Sequence, residues 1–190
     1  MELIQLLDKF IQHPYDGDNN YNIAWYYESI GQTSSAISFY LRAAEKYSVK
    51  ENIYESLIRA GICFDKQGKR TFSSKGLYQH AVTVLPKRPE AYYHLSRFYE
   101  IENRSGHWQD CYMISSIAQE FCNLYAEPLR TDVGFPGDYG LLFQKAVSSW
   151  WCGLVDESKR LFVDLWNNYE LDENHKASVL NNINTLKIQL

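Results

Sequence analysis

The run Asp16-Gly17-Asp18-Asn19-Asn20 sets two carboxylates one residue apart and invites a metal ion. A calcium loop of the EF-hand kind needs glycine at its sixth position and a bidentate glutamate at its twelfth. Counted from Asp16, those positions hold Tyr21 and Tyr27, so the loop fails. An Asp-x-Asp metal–nucleotide site needs a strand and a nucleotide-binding fold to present it, and no strand pattern is at hand. The run reads as a polar link between helices whose side chains cap the next one. Gly134, Gly137 and Gly140 resemble a phosphate cradle only in their spacing. No strand precedes them and no Lys-Ser/Thr follows, so they are expected to let a loop fold back on the chain.

Nucleophiles and metal ligands are as thin. Cys63, Cys111, Cys122 and Cys152 form no Cys-x-x-Cys pair and have no histidine at zinc spacing. Each sits in an apolar helical pattern, which suits small buried residues in a reducing compartment. His13, His80, His94, His107 and His175 are dispersed, and none stands in a recognisable catalytic order. His94, beside Tyr92, Tyr93 and Leu95, either packs or lines a groove. Asn103-Arg104-Ser105 fits a glycosylation acceptor, but Met1 to His13 carry Glu2 and Asp8 and do not read as a secretion signal. No catalytic residue, metal or cofactor is expected, and the chain is not read as an enzyme.

The 190 residues fit one domain, are 45% hydrophobic and 22% charged, and carry a net charge of −4. That balance argues against nucleic acid, whose phosphates need a basic face. No apolar stretch has the length of a membrane span, and a cytoplasmic protein is expected. Aromatic residues are abundant: fifteen Tyr, nine Phe and five Trp. Such residues fill gaps between packed helices or make a binding surface.

The elements that position these side chains read as helices throughout, with no period-2 run and no hairpin turn. Residues 1–14 form an apolar-faced first helix, ended by Pro14 and the polar run. Helix pairs follow over 21–50, 51–86 and 89–125, the first helical pattern starting at Tyr21. They break at Gly31, near Gly68, and between Asn103 and Gly106. In the first pair Ala24, Tyr27, Gly31, Ala36, Tyr40 and Ala43 stand at steps of 3, 4, 5, 4 and 3. In the second Gly61, Phe64, Gly68, Ser74, Tyr78 and Ala81 repeat this with one residue more in the turn. In the third Ser96, Tyr99, Asn103, Cys111, Ser115 and Ala118 keep the outer steps. Small residues let antiparallel helices approach closely, aromatics fill the gap a turn later, and a turn glycine can take positive φ. Leu85-Pro86 closes the second pair.

This spacing is similar to the tetratricopeptide repeat, whose period is about 34 residues. The match runs from Tyr21 to Ala118, with Pro86 and Pro89-Glu90-Ala91-Tyr92-Tyr93-His94-Leu95 as a repeat boundary. It departs at Ser48, where proline is expected, and at Asn103 and Cys111, which replace Gly and Ala. The resemblance implies an all-α fold, a right-handed α-solenoid of helix-turn-helix repeats with N- and C-terminal capping helices. Beyond it, 126–138 reads as a Pro/Gly insertion over the third repeat. Residues 139–170 read as a degenerate repeat built on Ala146, Gly153, Ser158 and Phe162, and 172–190 as a capping helix. This latter half also resembles repeat modules fused to glycosyltransferases. The carriers are the Pro/Gly loop, Trp151-Cys152-Gly153, and Arg88-Pro89-Glu90-Ala91-Tyr92. The transferase domain itself has no room in this chain.

In solenoids of this kind the first helix of each pair lines a concave surface for a peptide or a partner helix. The residues left over from the packing pattern would face it. They are Tyr21, Trp25 and Glu28; then Glu55, Ile58, Ile62 and Lys66; then Tyr93, Arg97 and Glu100; then Phe143, Val147 and Trp150. Tyr, Trp and Arg are the types that dominate binding hot spots. Trp25 and Trp150 either serve that groove or pack against the first helix and the insertion. The expected function is a non-enzymatic protein–protein interaction or scaffolding module with a protein or peptide partner. Two alternatives stay open: an accessory module of a glycosyltransferase or glycan-modifying system, and a homo-oligomeric assembly subunit.

Overall fold

A computed structural model describes residues 3–102 and 107–188. The described residues form ten α-helices and no strand. They are α1 (Leu3–Gln12), α2 (Gly17–Ser29), α3 (Thr33–Lys46), α4 (Lys50–Gln67), α5 (Thr71–Val84), α6 (Glu90–Glu102), α7 (His107–Phe121), α8 (Asp138–Trp151), α9 (Val155–Asn168) and α10 (Glu173–Thr185). No described helix is long and apolar enough to cross a membrane. The expected turn at Asn103 to Gly106 and the glycosylation triplet lie outside the described residues.

The chain divides into two compact units, Met1–Pro86 with Pro128–Val133, and Lys87–Glu127 with Gly134–Leu190. In the first unit α1 packs on α2, α2 on α3, α3 on α4 and α4 on α5. The small-residue positions form the seam. Ala24, Ala36, Tyr40 and Ala43 are fully buried, with Tyr21, Ala60 and Cys63 in the same core. Gly61 lies directly beneath the Tyr78 ring, where a Cβ would collide with Cε1. Only glycine therefore permits this approach of α4 and α5. Gly68 ends α4 with φ +68°, a left-handed value that side chains resist.

In the second unit α6 packs on α7 and α8, α7 on α8, α8 on α9, and α9 on α10. Ser96, Cys111, Ser115, Ala118, Ala146, Ser158 and Phe162 are buried, as the repeat spacing requires. Val179 and Ile183 of α10 close the core formed by Leu142, Phe143, Phe162 and Leu165. Asp172 caps α10, its carboxylate accepting from the His175 amide at 2.9 Å.

One boundary differs from the expectation. The helix expected from Tyr21 begins at Gly17, a full turn earlier. Asp16 is its N-cap and accepts from the Asn19 amide at 2.7 Å, so the Asp/Asn run is the first turn itself. Asn20 ties that turn back to the preceding loop, donating to the Pro14 carbonyl at 3.0 Å. Gly17 is required because the Tyr47 ring lies against it, 2.6 Å from where a Cβ would stand.

Candidate functional site

The residue types best able to bind something converge on α2 and α4 of the first unit. On α2, Asp18, Asn22 and Trp25 follow at steps of four and three, as do Tyr21, Trp25 and Glu28. Glu55, Arg59, Ile62 and Lys66 repeat the four-three-four rhythm on α4. Residues so spaced share one helical face.

What that face holds is a piece of the same chain. Glu55, 2% exposed, accepts from the Tyr21 hydroxyl, from the Thr131 hydroxyl, and from the Arg130 amide at 2.9 Å. Arg59 donates to Thr131 Oγ1 from Nε at 3.0 Å and from Nη2 at 2.8 Å, and Nη2 also reaches the Asp132 carbonyl. Its guanidinium lies 4.2 Å from the centroid of the Trp25 ring. The Arg130 side chain runs back across α2. Nη1 meets Asp18 at 2.6 Å, Nη2 meets Asn22 at 3.0 Å, and the guanidinium stacks 4.6 Å from the Tyr21 centroid. Tyr47 adds a donor to Asp18 at 2.8 Å.

Glu28 anchors the other end. It accepts from Lys66 at 2.8 Å, from the Tyr40 hydroxyl at 2.7 Å, and from Arg59 at 3.3 Å. Burial alone would raise its carboxyl, but the hydrogen bonds from Lys66 and Tyr40 and the charges of Arg59 and Lys66 outweigh this and hold it below its ordinary value. Asp18 is held low chiefly by the Tyr47 hydrogen bond, with Arg130 adding to it against partial burial. Burial drives the Tyr21 and Tyr40 phenols up, and their carboxylate partners push the same way. They serve as neutral donors. The face is a set of fixed donors and acceptors closed by ion pairs at both ends, Arg130 with Asp18 and Lys66 and Arg59 with Glu28.

The sequence-predicted residues fall into three sets. Tyr21, Glu28, Glu55 and Lys66 belong to this network, and Trp25 stacks on it while remaining 41% exposed. Ile58 is fully buried in the core, and Ile62 is half-buried. In the second unit Tyr93 is buried, with Phe135 of the insertion packed edge-on at 5.6 Å. Arg97 is exposed, its guanidinium 5.9 Å from the Tyr93 centroid. Glu100, Val147 and Trp150 are half-buried, and Phe143 is part of the α8–α10 core. Arg59, Asn22, Asp18 and the segment 130–132 were not among the expected site residues. Arg59 carried a readable signal, one turn beyond Glu55 on the same stripe. The segment carried none.

Burial pushes the Cys63, Cys111 and Cys122 thiols up to about 12, far from a thiolate at neutral pH. Among the described residues no three His, Cys, Asp or Glu side chains gather as metal ligands. The second unit has a cleft of about 450 Å³ lined by Tyr125, Tyr139 and Tyr169 with Asp138, Asp164 and Glu170. No protein-family model matches the chain, and no curated protein sequence matches it.

Proposed function

We propose that this chain is a right-handed α-solenoid of tetratricopeptide-like repeats and works as a non-enzymatic protein–protein interaction module. One observation carries the reading. The face of α2 and α4 grips non-helical chain through its main-chain amide and carbonyl as well as its side chains. This is what a peptide-binding face has to do. The repeat spacing and the burial of its small residues support the solenoid. Exposed Trp25 on α2 and exposed Arg97 on α6 are the anchors left at the surface, each in its own unit. The four cysteines are scattered along the sequence with no Cys-x-x-Cys pair, and we read the reducing cytoplasm as the place of work. The test is affinity capture with the wild type beside a Trp25→Ala/Arg97→Ala variant. Partners are expected to be lost from the variant while its helical circular dichroism is unchanged. An unchanged set of partners would put the binding surface elsewhere.

A second reading, self-association, draws on α7. Met113, Ile117 and Phe121 form an exposed apolar stripe at steps of four, the kind of face a second copy could cover. Light scattering decides it, since a monomer at all concentrations removes this reading.

A further inference from the structure

The contacts of residues 130–132 divide into subsites with different demands. The first takes a planar cation. Asp18 and Asn22 receive separate nitrogens of Arg130 while the guanidinium stacks on Tyr21. A lysine ammonium could satisfy one of these contacts but has no plane to stack and no fork to divide. The second subsite takes a hydroxyl. Glu55 needs a donor there and Arg59 offers hydrogens from Nε and Nη2, so the group must donate and accept at once. Threonine and serine do both. Valine does neither, and a carboxylate or phosphate would press negative charge against Glu55. The contacts from the Arg130 amide and to the Asp132 carbonyl are made by main chain.

The two subsites differ in access. Asp18 and Arg130 keep 60% and 40% of their side chains exposed, whereas Glu55 and Arg59 are buried. The occupant is joined to the rest of its unit only through residues of the other unit, for Glu127 and Gly134 both belong there. It is therefore an inserted piece of chain, and its contacts are those an unconnected peptide could make.

We infer that the α2/α4 face is a receptor for non-helical peptides carrying arginine followed by threonine or serine, and that residues 130–132 are its built-in occupant. This rests on the interaction reading above and names the partner's chemistry. Tethering gives the internal segment an effective concentration in about the millimolar range. An outside peptide at micromolar concentration is excluded until the segment is released or weakened. The face is self-occupied, and binding is an exchange.

The test uses the full chain and a labelled hexapeptide, Pro-Leu-Arg-Thr-Asp-Val, followed by fluorescence anisotropy. An Arg130→Ala/Thr131→Ala variant, with its seat weakened, is expected to bind the peptide at least about tenfold more tightly than the wild type. Adding Arg59→Ala to that variant should abolish the gain, and so should replacing the peptide's arginine by lysine or phosphorylating its threonine. A folded double variant that binds no better than wild type overturns the inference. So does equal binding of the phosphorylated peptide. If the double variant does not fold, the wild type is titrated to millimolar peptide while hydrogen exchange at the Arg130 amide is followed. Faster exchange with added peptide supports the inference, and exchange that stays flat overturns it. A negative peptide result beside loss of partners in Trp25→Ala/Arg97→Ala leaves the interaction reading standing and removes only this one.

Discussion

Glu55 and Glu90 occupy the same place in their repeats, six residues before Gly61 and Ser96, and both are buried. Their partners come from different distances along the chain. Glu90, in the second unit, accepts from Arg88, two residues away, and Arg88 also donates to the Glu127 carbonyl at 2.9 Å. Glu55, in the first unit, draws donors from Arg130 and Thr131, more than seventy residues later. These two repeats thus bury a carboxylate at the same position and satisfy it differently. Where the partner is local the position is a fixed helix start. Where it is remote, the position is a seat.

The comparison is sharpest at the arginines. Arg59→Ala removes one of three donors to Glu28, whose Lys66 and Tyr40 contacts remain, together with the guanidinium donors to Thr131, and should cost about 1.5–3 kcal/mol in urea unfolding of the first unit. Arg88→Ala should cost less, because its side chain is 14% exposed against 6% for Arg59. Equal losses would erase the distinction between the two units. Next comes the seam. Gly61→Ala forces a methyl into the Tyr78 ring and should cost about 1–3 kcal/mol by thermal denaturation. Ser96 at the equivalent position already has a Cβ, its hydroxyl donating to the Tyr93 carbonyl at 2.8 Å. Ser96→Ala should cost under about 1 kcal/mol. Thr131→Val keeps the shape but strips the hydroxyl from between Glu55 and Arg59, for a loss of about 1–3 kcal/mol. Hydrogen exchange at the Arg130 amide should rise with it, while Thr131→Ser should restore protection.

Two smaller effects complete the series. Asp172→Ala removes the α10 cap and should cost about 1 kcal/mol, read from unfolding of the second unit. Glu28 is held below its ordinary value in the folded state. Its contribution is therefore fully present above the unfolded value of about 4.5 and is lost as the pH falls through the lower, folded one. NMR titration should place its midpoint below 4.5, with the first unit losing stability on acidification below that pH. A midpoint above 4.5 would mean that burial outweighs Lys66, Tyr40 and Arg59.

Helices and their pairing were legible because packing repeats locally. Ala24, Gly61 and Ser96 announce close approach, and Gly68 announces a left-handed turn where one is needed. The start of α2 was misread because Asp and Asn serve equally in a turn and in the capped first turn of a helix. Four members of the site, Tyr21, Glu28, Glu55 and Lys66, follow from asking which residues the packing pattern leaves over. Ile58 shows the limit of that reasoning, since a residue outside the small-aromatic pattern can still be fully buried. Residues 130–132 were beyond reach for a different reason. Their partners lie on helices 72 to 112 positions earlier, and no local periodicity encodes so distant a pairing.

The interleaved make-up of the first unit also sets a clock. Residues through Pro86 leave the ribosome well before Pro128–Val133, which arrive seconds later at about 5–20 residues per second. For that interval five helices can pair while Glu55 and Arg59 wait for Arg130 and Thr131. A newly made first unit presents its face unoccupied, and the chain that later fills it is the last piece of that unit to be synthesised.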